Sequence, residues 1–207
     1  ASTRPGTTLR LEGIDADSIE DLIDDKVAVV LVNHVNYKTG ELRDMAALTR
    51  KTRDAGALIV WDLCHTAGAL PVDLDGSKAD FAVGCSYKYL NGGPGAPAFI
   101  YVARRHLAHA RQPLSGWWGH ARPFAFEQSF DAGGGIRRFQ CGTQPILSLR
   151  ALKGALDIWD EVDLEAVRTK SIALTDLFIQ LVESKCNGYG LALESPRDAT
   201  RRGSQVS

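Results

Sequence analysis

Ala57-Leu58-Ile59-Val60-Trp61 closes on Asp62 and runs into Leu63-Cys64-His65-Thr66-Ala67-Gly68. Further along, Asp80-Phe81-Ala82-Val83-Gly84-Cys85 closes on Ser86-Tyr87-Lys88-Tyr89-Leu90-Asn91. Each stretch begins as an apolar run of strand length and stops at polar residues. Working outward, residues 27–32 (VAVVLV) form a continuous β-branched run, as expected for a strand buried on both faces. Thr39-Gly40 makes a turn, and residues 44–55 read as a helix with Met45, Leu48 and Ala55 on one side. Residues 73–77 are a turn-rich connection, 91–95 (NGGPG) a tight glycine-rich loop and 97–102 (PAFIYV) a fourth strand. Strands separated by helices or short crossovers predict an α/β fold with a mostly parallel sheet. In such sheets ligands sit outside the carboxyl ends of the strands. Asp62 and Lys88 both fall at such ends, so the pattern predicts one shared pocket.

An acid and a lysine in one pocket are what pyridoxal 5'-phosphate requires. The lysine amine forms a Schiff base with the aldehyde, and the carboxylate pairs with the pyridinium nitrogen so that the ring can accept electrons.

The bulk composition argues against several other classes. The chain has 207 residues, 24 basic and 25 acidic side chains and a formal net charge of −1. That balance gives no global attraction to nucleic acid or to a membrane surface. Cys64, Cys85, Cys141 and Cys186 are widely separated without zinc-type spacing, and read as reduced thiols of a cytoplasmic protein. No apolar run approaches the length of a membrane span, and no signal peptide is evident. The first residues, Ala-Ser-Thr-Arg-Pro-Gly, lack an initiator methionine, which predicts either processing or an excerpt of a longer chain. Arg197, Arg201 and Arg202 form a local basic cluster, read as a solvated surface loop or an anion-binding site.

After residue 102 the character changes. Residues 113–140 are rich in aromatics, glycine and arginine, and a long loop of this kind is usually functional. Residues 145–159 and 164–183 read as amphipathic helices, and 190–193 as a strand opening a further lobe. This divides the chain into 1–160, part of a large cofactor-binding domain, and 161–207, a connecting helix with the start of a smaller C-terminal α+β lobe. The remainder of that lobe is expected to lie beyond residue 207.

With these residues in place, the chain resembles the kynureninase family of the aspartate-aminotransferase-like enzymes. The resemblance rests on VNYKTGELRDM at 35–45 (from Val35), DLCHTAG at 62–68 and CSYKYLNGGPG at 85–95. It continues through GWWGH at 116–120, QCGTQPI at 140–146 and RGSQVS at the end. It implies hydrolysis of L-kynurenine or its 3-hydroxy derivative to an anthranilate and L-alanine, in tryptophan catabolism and NAD biosynthesis, by a cytoplasmic homodimer using pyridoxal 5'-phosphate. Lys88 would carry the Schiff base and move protons, Asp62 would pair with the pyridine nitrogen, and His65 would lie against the ring. Tyr87 would contact the phosphate and assist proton transfer, while Asn33, Trp117 and Thr143 would contact the cofactor. Some phosphate contacts would come from a neighbouring subunit, and the arginine that grips the substrate carboxylate would lie beyond Ser207. Each residue also has a plain structural reading. Asp62 could cap the next segment, His65 could be a satisfied core histidine, and Tyr87, Trp117 and Thr143 could be scaffold. Trp118 and His120 either line the substrate pocket or order their loop. The alternatives are another member of the scaffold, such as a cysteine desulfurase or lyase, or an inactive fragment.

Overall fold

The computed structural model describes residues 19–207; the expectation attached to the N-terminal Ala-Ser-Thr-Arg-Pro-Gly lies outside them. Four strands, β1 (Val29–Asn33), β2 (Leu58–Asp62), β3 (Phe81–Cys85) and β4 (Ala98–Val102), form a sheet in the order β1-β2-β3-β4. The first three run parallel and β4 is antiparallel to β3. The expected mostly parallel α/β sheet is therefore present, with strand ends within two residues of those read from the sequence. Its mixed character follows from the connections. Residues 34–57 carry helix α1 (Met45–Asp54) as a crossover, whereas the short glycine-rich link between β3 and β4 reverses the chain directly.

Helix α1 starts where Asp44 caps it, accepting a hydrogen bond from the Ala47 N–H at 2.9 Å, and its last turn carries Lys51 and Arg53 against the negative helix end. Met45 and Leu48 pack on Val30, Val32, Ile59, Trp61 and Ala82, which alternate along the strands on one sheet face. Trp61 is fully buried, and its indole N–H donates to the Thr49 hydroxyl at 3.0 Å, so its polar atom is satisfied inside the core. Each such buried side chain contributes roughly 1.5–3 kcal/mol.

The opposite face corrects the expectation of strands buried on both sides. Val29 and Leu31 are 55% and 70% exposed, and Leu58 and Ile100 are also exposed. Only one helical layer, α1, covers the sheet among the described residues, so the second apolar face of β1 remains open.

Beyond β4 come a short helix α2 (Arg104–Leu107), three 3₁₀ turns, α3 (Ile146–Asp157), a fourth 3₁₀ turn, α4 (Leu164–Lys185) and a fifth 3₁₀ turn. The two long helices form where the periodicity predicts them, yet α3 buries no residue and α4 only Ile179. Residues 190–193 are not a strand. Gly188 and Gly190 take left-handed φ values of +91° and +71°, which turn the chain instead of extending it.

Within the arginine cluster Arg202 is structural, whereas the side chains of Arg197 and Arg201 stay exposed, as the surface-loop reading expects. Arg202 is completely buried, donating to Asp176 at 2.5 Å and to the carbonyls of Pro196 and Arg197. Arg201 pairs with Glu41 at 2.8 Å, and Arg197 pairs with Glu183. The Arg201–Glu41 pair, the Leu42 N–H donating to the Arg201 carbonyl and the Gly203 N–H donating to the Gly40 carbonyl fasten this segment to the turn after β1, while Arg197 and Arg202 bind Glu183 and Asp176 of α4.

Candidate active site

Asn33 and Asp62 are direct neighbours in the parallel register of β1 and β2, so both side chains leave the sheet on the same, open face at the carboxyl end. The Asp62 carboxylate then accepts the Cys64 N–H at 2.8 Å, an Asx-type turn that starts the 63–68 segment. Burial first, and then the neighbouring Asp62 and Cys85, push the Cys64 thiol up to about 12, so it stays protonated beside the carboxylate. The Cys85 thiol lies 3.7 Å from the Cys64 carbonyl, tying the end of β3 to the same turn.

The turn delivers His65 to Lys88: imidazole Nε2 and lysine Nζ are 2.8 Å apart. Burial, reinforced by the Lys88 charge and opposed by Asp62, lowers the His65 pKa below its ordinary 6.5. The ring is thus neutral near pH 7, with Nε2 accepting from the lysine. Lys88 starts a turn closed by the Asn91 N–H on its carbonyl at 3.0 Å, with Asn91 in the left-handed region as the turn reading requires. Buried Ser86 anchors this loop by donating to the Pro97 carbonyl at 2.5 Å.

What lets the two segments meet is Gly68. Its φ is +83°, and a Cβ there would fall 2.8 Å from the carbonyl carbon and oxygen of Tyr89, one residue past Lys88. Only glycine combines that conformation with so close a backbone approach.

Four of the seven expected site residues, Asn33, Asp62, His65 and Lys88, therefore gather at the ends of β1, β2 and β3. Tyr87 is adjacent, with Lys88 Nζ 5.5 Å from its ring centroid, and is 48% exposed. Trp117 and Thr143 belong to a different region. Trp117 lies edge-to-face with Trp118 and Phe124, at 4.7 and 5.8 Å between ring centroids. Backbone contact brings Gly116 against Cys141, two residues before Thr143. No hydrogen bond or ring contact joins either residue to Lys88 among the described residues. His120 orders this loop: its Nδ1 accepts the Arg122 N–H at 2.9 Å and its Nε2 donates to the Ser129 carbonyl at 3.1 Å. That resolves the reading left open for His120 in favour of loop structure.

Cys64 is the neighbour that sequence reasoning missed, having been read only as one of four reduced thiols. The available signal was its position two after Asp62, where an aspartate commonly bonds the backbone N–H. The donor set suits pyridoxal 5'-phosphate: a carboxylate fixed at a strand end, an amine within reach of a neutral imidazole, and an open sheet face above them.

Residues 8–206 match the model of the aminotransferase class-V family. The chain belongs to that family. Among curated class-V relatives, a kynureninase of Burkholderia mallei is 54% identical over 96% of this chain, and one of Pseudomonas fluorescens is 52% identical over 98%. The chain spans about half the length of these relatives, 48% of each. Solved structures share the fold. A cysteine desulfurase from Thermococcus onnurineus superposes with a TM-score of 0.73 at 21% identity, over 91% of this chain and 45% of that one. One from Escherichia coli gives 0.74 at 19%, over 93% and 45% respectively. At such identities the likeness speaks for the architecture, while the much higher identities are to kynureninases.

Proposed function

We propose that this chain carries the cofactor-binding core of a kynureninase, which hydrolyses L-kynurenine or its 3-hydroxy derivative to an anthranilate and L-alanine. The observation that carries the reading is the convergence of Asp62, His65 and Lys88 at neighbouring strand ends. The identity to kynureninases over nearly the whole chain selects the reaction within the family.

When bound, pyridoxal 5'-phosphate supplies an aldehyde for covalent attachment and a protonated ring that accepts electrons from the substrate's α-carbon. Lys88 would hold it covalently, and its Nζ, once free, would remove and return the substrate's α-proton. Asp62, oriented by the Cys64 N–H, would pair with the ring nitrogen. Asn33 lies beside it on the same face. Tyr87, beside Lys88, would contact the phosphate and assist proton transfer after the carbon–carbon bond has broken. Trp117 and Thr143 complete the cofactor contacts from the second region. In this reading the protein is a cytoplasmic homodimer, consistent with a loop that exposes Phe124 and Phe126. No helix among the described residues is long and apolar enough to cross a membrane. The 1–160 and 161–207 division remains part of the proposal.

The test mixes the purified chain with pyridoxal 5'-phosphate, reduces with borohydride and maps the modified peptide by mass spectrometry. A single adduct on Lys88 is the expected outcome, followed by kynurenine turnover. Scattered labelling of several lysines would sink the assignment.

A further inference from the structure

Resting on that reading, we propose that His65 is the proton-transfer group for cofactor capture, a role distinct from lying against the ring. A lysine attacks an aldehyde only as the free amine, so a protonated lysine must first give up a proton. A base in direct contact with its nitrogen can take that proton inside the pocket. The structure places an imidazole nitrogen 2.8 Å from Nζ, within direct transfer distance.

The surroundings suit His65 for the task. Asp62 faces it from the end of β2 and Lys88 from the loop after β3, and these are the charges acting on its ring. The Cys64 thiol beside it stays protonated, and the exposed Tyr87 phenol lies toward Lys88. With the imidazole neutral, Nε2 offers a lone pair toward the ammonium, and Asp62 is on hand to stabilise the imidazolium.

The step balances. His65 takes one proton from the ammonium, and the amine lone pair forms a bond to the aldehyde carbon. One amine proton moves to the former carbonyl oxygen. The imidazolium returns its proton to that oxygen, which leaves as water, and the nitrogen keeps its last proton in the new double bond to carbon. Lysine ammonium and aldehyde become a protonated carbon–nitrogen double bond and water, with His65 regenerated.

The experiment follows the rate of Lys88 adduct formation by absorbance after mixing cofactor-free chain with pyridoxal 5'-phosphate, across pH 6 to about 10, with borohydride mapping of the product. Wild type is compared with His65→Gln and His65→Ala. The expected result is capture roughly 10²-fold slower in both variants near pH 7, converging on wild type at the alkaline end of the range, with added imidazole accelerating His65→Ala. Thermal midpoints are measured alongside, and the imidazole arm keeps the test decisive if a variant is less stable. Wild-type rates in both variants, or slowing that neither pH nor imidazole relieves, would overturn the relay while leaving Lys88 as the attachment site. Failure of wild type itself to label Lys88 would overturn both the relay and the cofactor reading.

Discussion

The strand-end cluster and the region holding the 113–140 loop and Thr143 are both expected to supply site residues, but they are built differently. Asp62, His65 and Lys88 are held by sheet register, an Asx turn and a left-handed glycine. Trp117 sits in a 3₁₀ turn and Thr143 in irregular chain, in a region ordered by His120 and by edge-to-face aromatics, with Phe126 left 84% exposed. A covalent attachment point needs placement to a fraction of an ångström, and rigid elements supply it. Contacts that only surround a bound group tolerate a looser frame.

The largest effect expected from breaking this contrast is at Lys88. In Lys88→Ala, borohydride should trap no adduct at all and turnover should vanish, and an adduct on another lysine would show that strand-end placement does not decide attachment. Next is Asp62→Asn, which keeps the shape but removes the charge. Capture on Lys88 should persist while kcat falls about 10³-fold, roughly 4 kcal/mol in transition-state stabilisation. A wild-type kcat would remove Asp62 from the electron-accepting role.

Gly68→Ala probes the frame itself. The added methyl must sit in a left-handed conformation and meet the Tyr89 backbone at 2.8 Å. About 2–4 kcal/mol of lost stability is expected by denaturant unfolding, together with slower capture on Lys88. An unchanged midpoint and capture rate would mean that the two segments are not locked together as described.

How much of this could be read in advance follows the same division. Short apolar runs ending at Asp62 and before Ser86 carry strand periodicity, so the sheet, its mainly parallel order and the shared end of Asp62 and Lys88 were legible. The open face of β1 was not, because an apolar run does not reveal which layers cover it. Nor was the burial of Arg202, since three arginines near one another look solvated until Asp176 and two carbonyls are brought to them by distant segments. The strand expected at 190–193 failed on two left-handed glycines. The loop contributed residue types but no period, so the relation of Trp117 and Thr143 to the cluster was carried only by resemblance.

Acid should weaken the strand-end region through His34, next to Asn33. This histidine is buried with Nδ1 unpartnered, and desolvation lowers its pKa from 6.5 to about 4. The unfolded chain gains the proton first, so stability is full above pH 6.5 and falls as pH drops toward 4. At about 1.4 kcal/mol per unit the loss approaches 3 kcal/mol. Denaturant midpoints at pH 7, 5.5 and 4 should show it, and His34→Gln should flatten that part of the profile. Asp80 acts lower still. Burial alone would raise its pKa, but His106, the Ile59 N–H and Arg105 outweigh it and hold the carboxyl below 3.8. Its contribution is therefore present above pH 3.8 and lost as pH falls through that lowered value.

The smallest effects should come from the loop. Trp117→Phe keeps an aromatic face against Trp118 and Phe124 and removes the indole N–H, and Thr143→Ala removes one hydroxyl from an exposed position. If these side chains only surround a group already fixed by Lys88, each should weaken cofactor retention by about 1 kcal/mol, the worth of one ordinary hydrogen bond. That is a five- to tenfold rise in Kd, with no change in which lysine is labelled. The dissociation constant is read by fluorescence titration and the label by peptide mapping. A loss of 10³-fold from either substitution would erase the contrast, because the loop would then hold the cofactor as firmly as the strand ends do. No change from both would remove the loop from the site and leave its aromatics as scaffold.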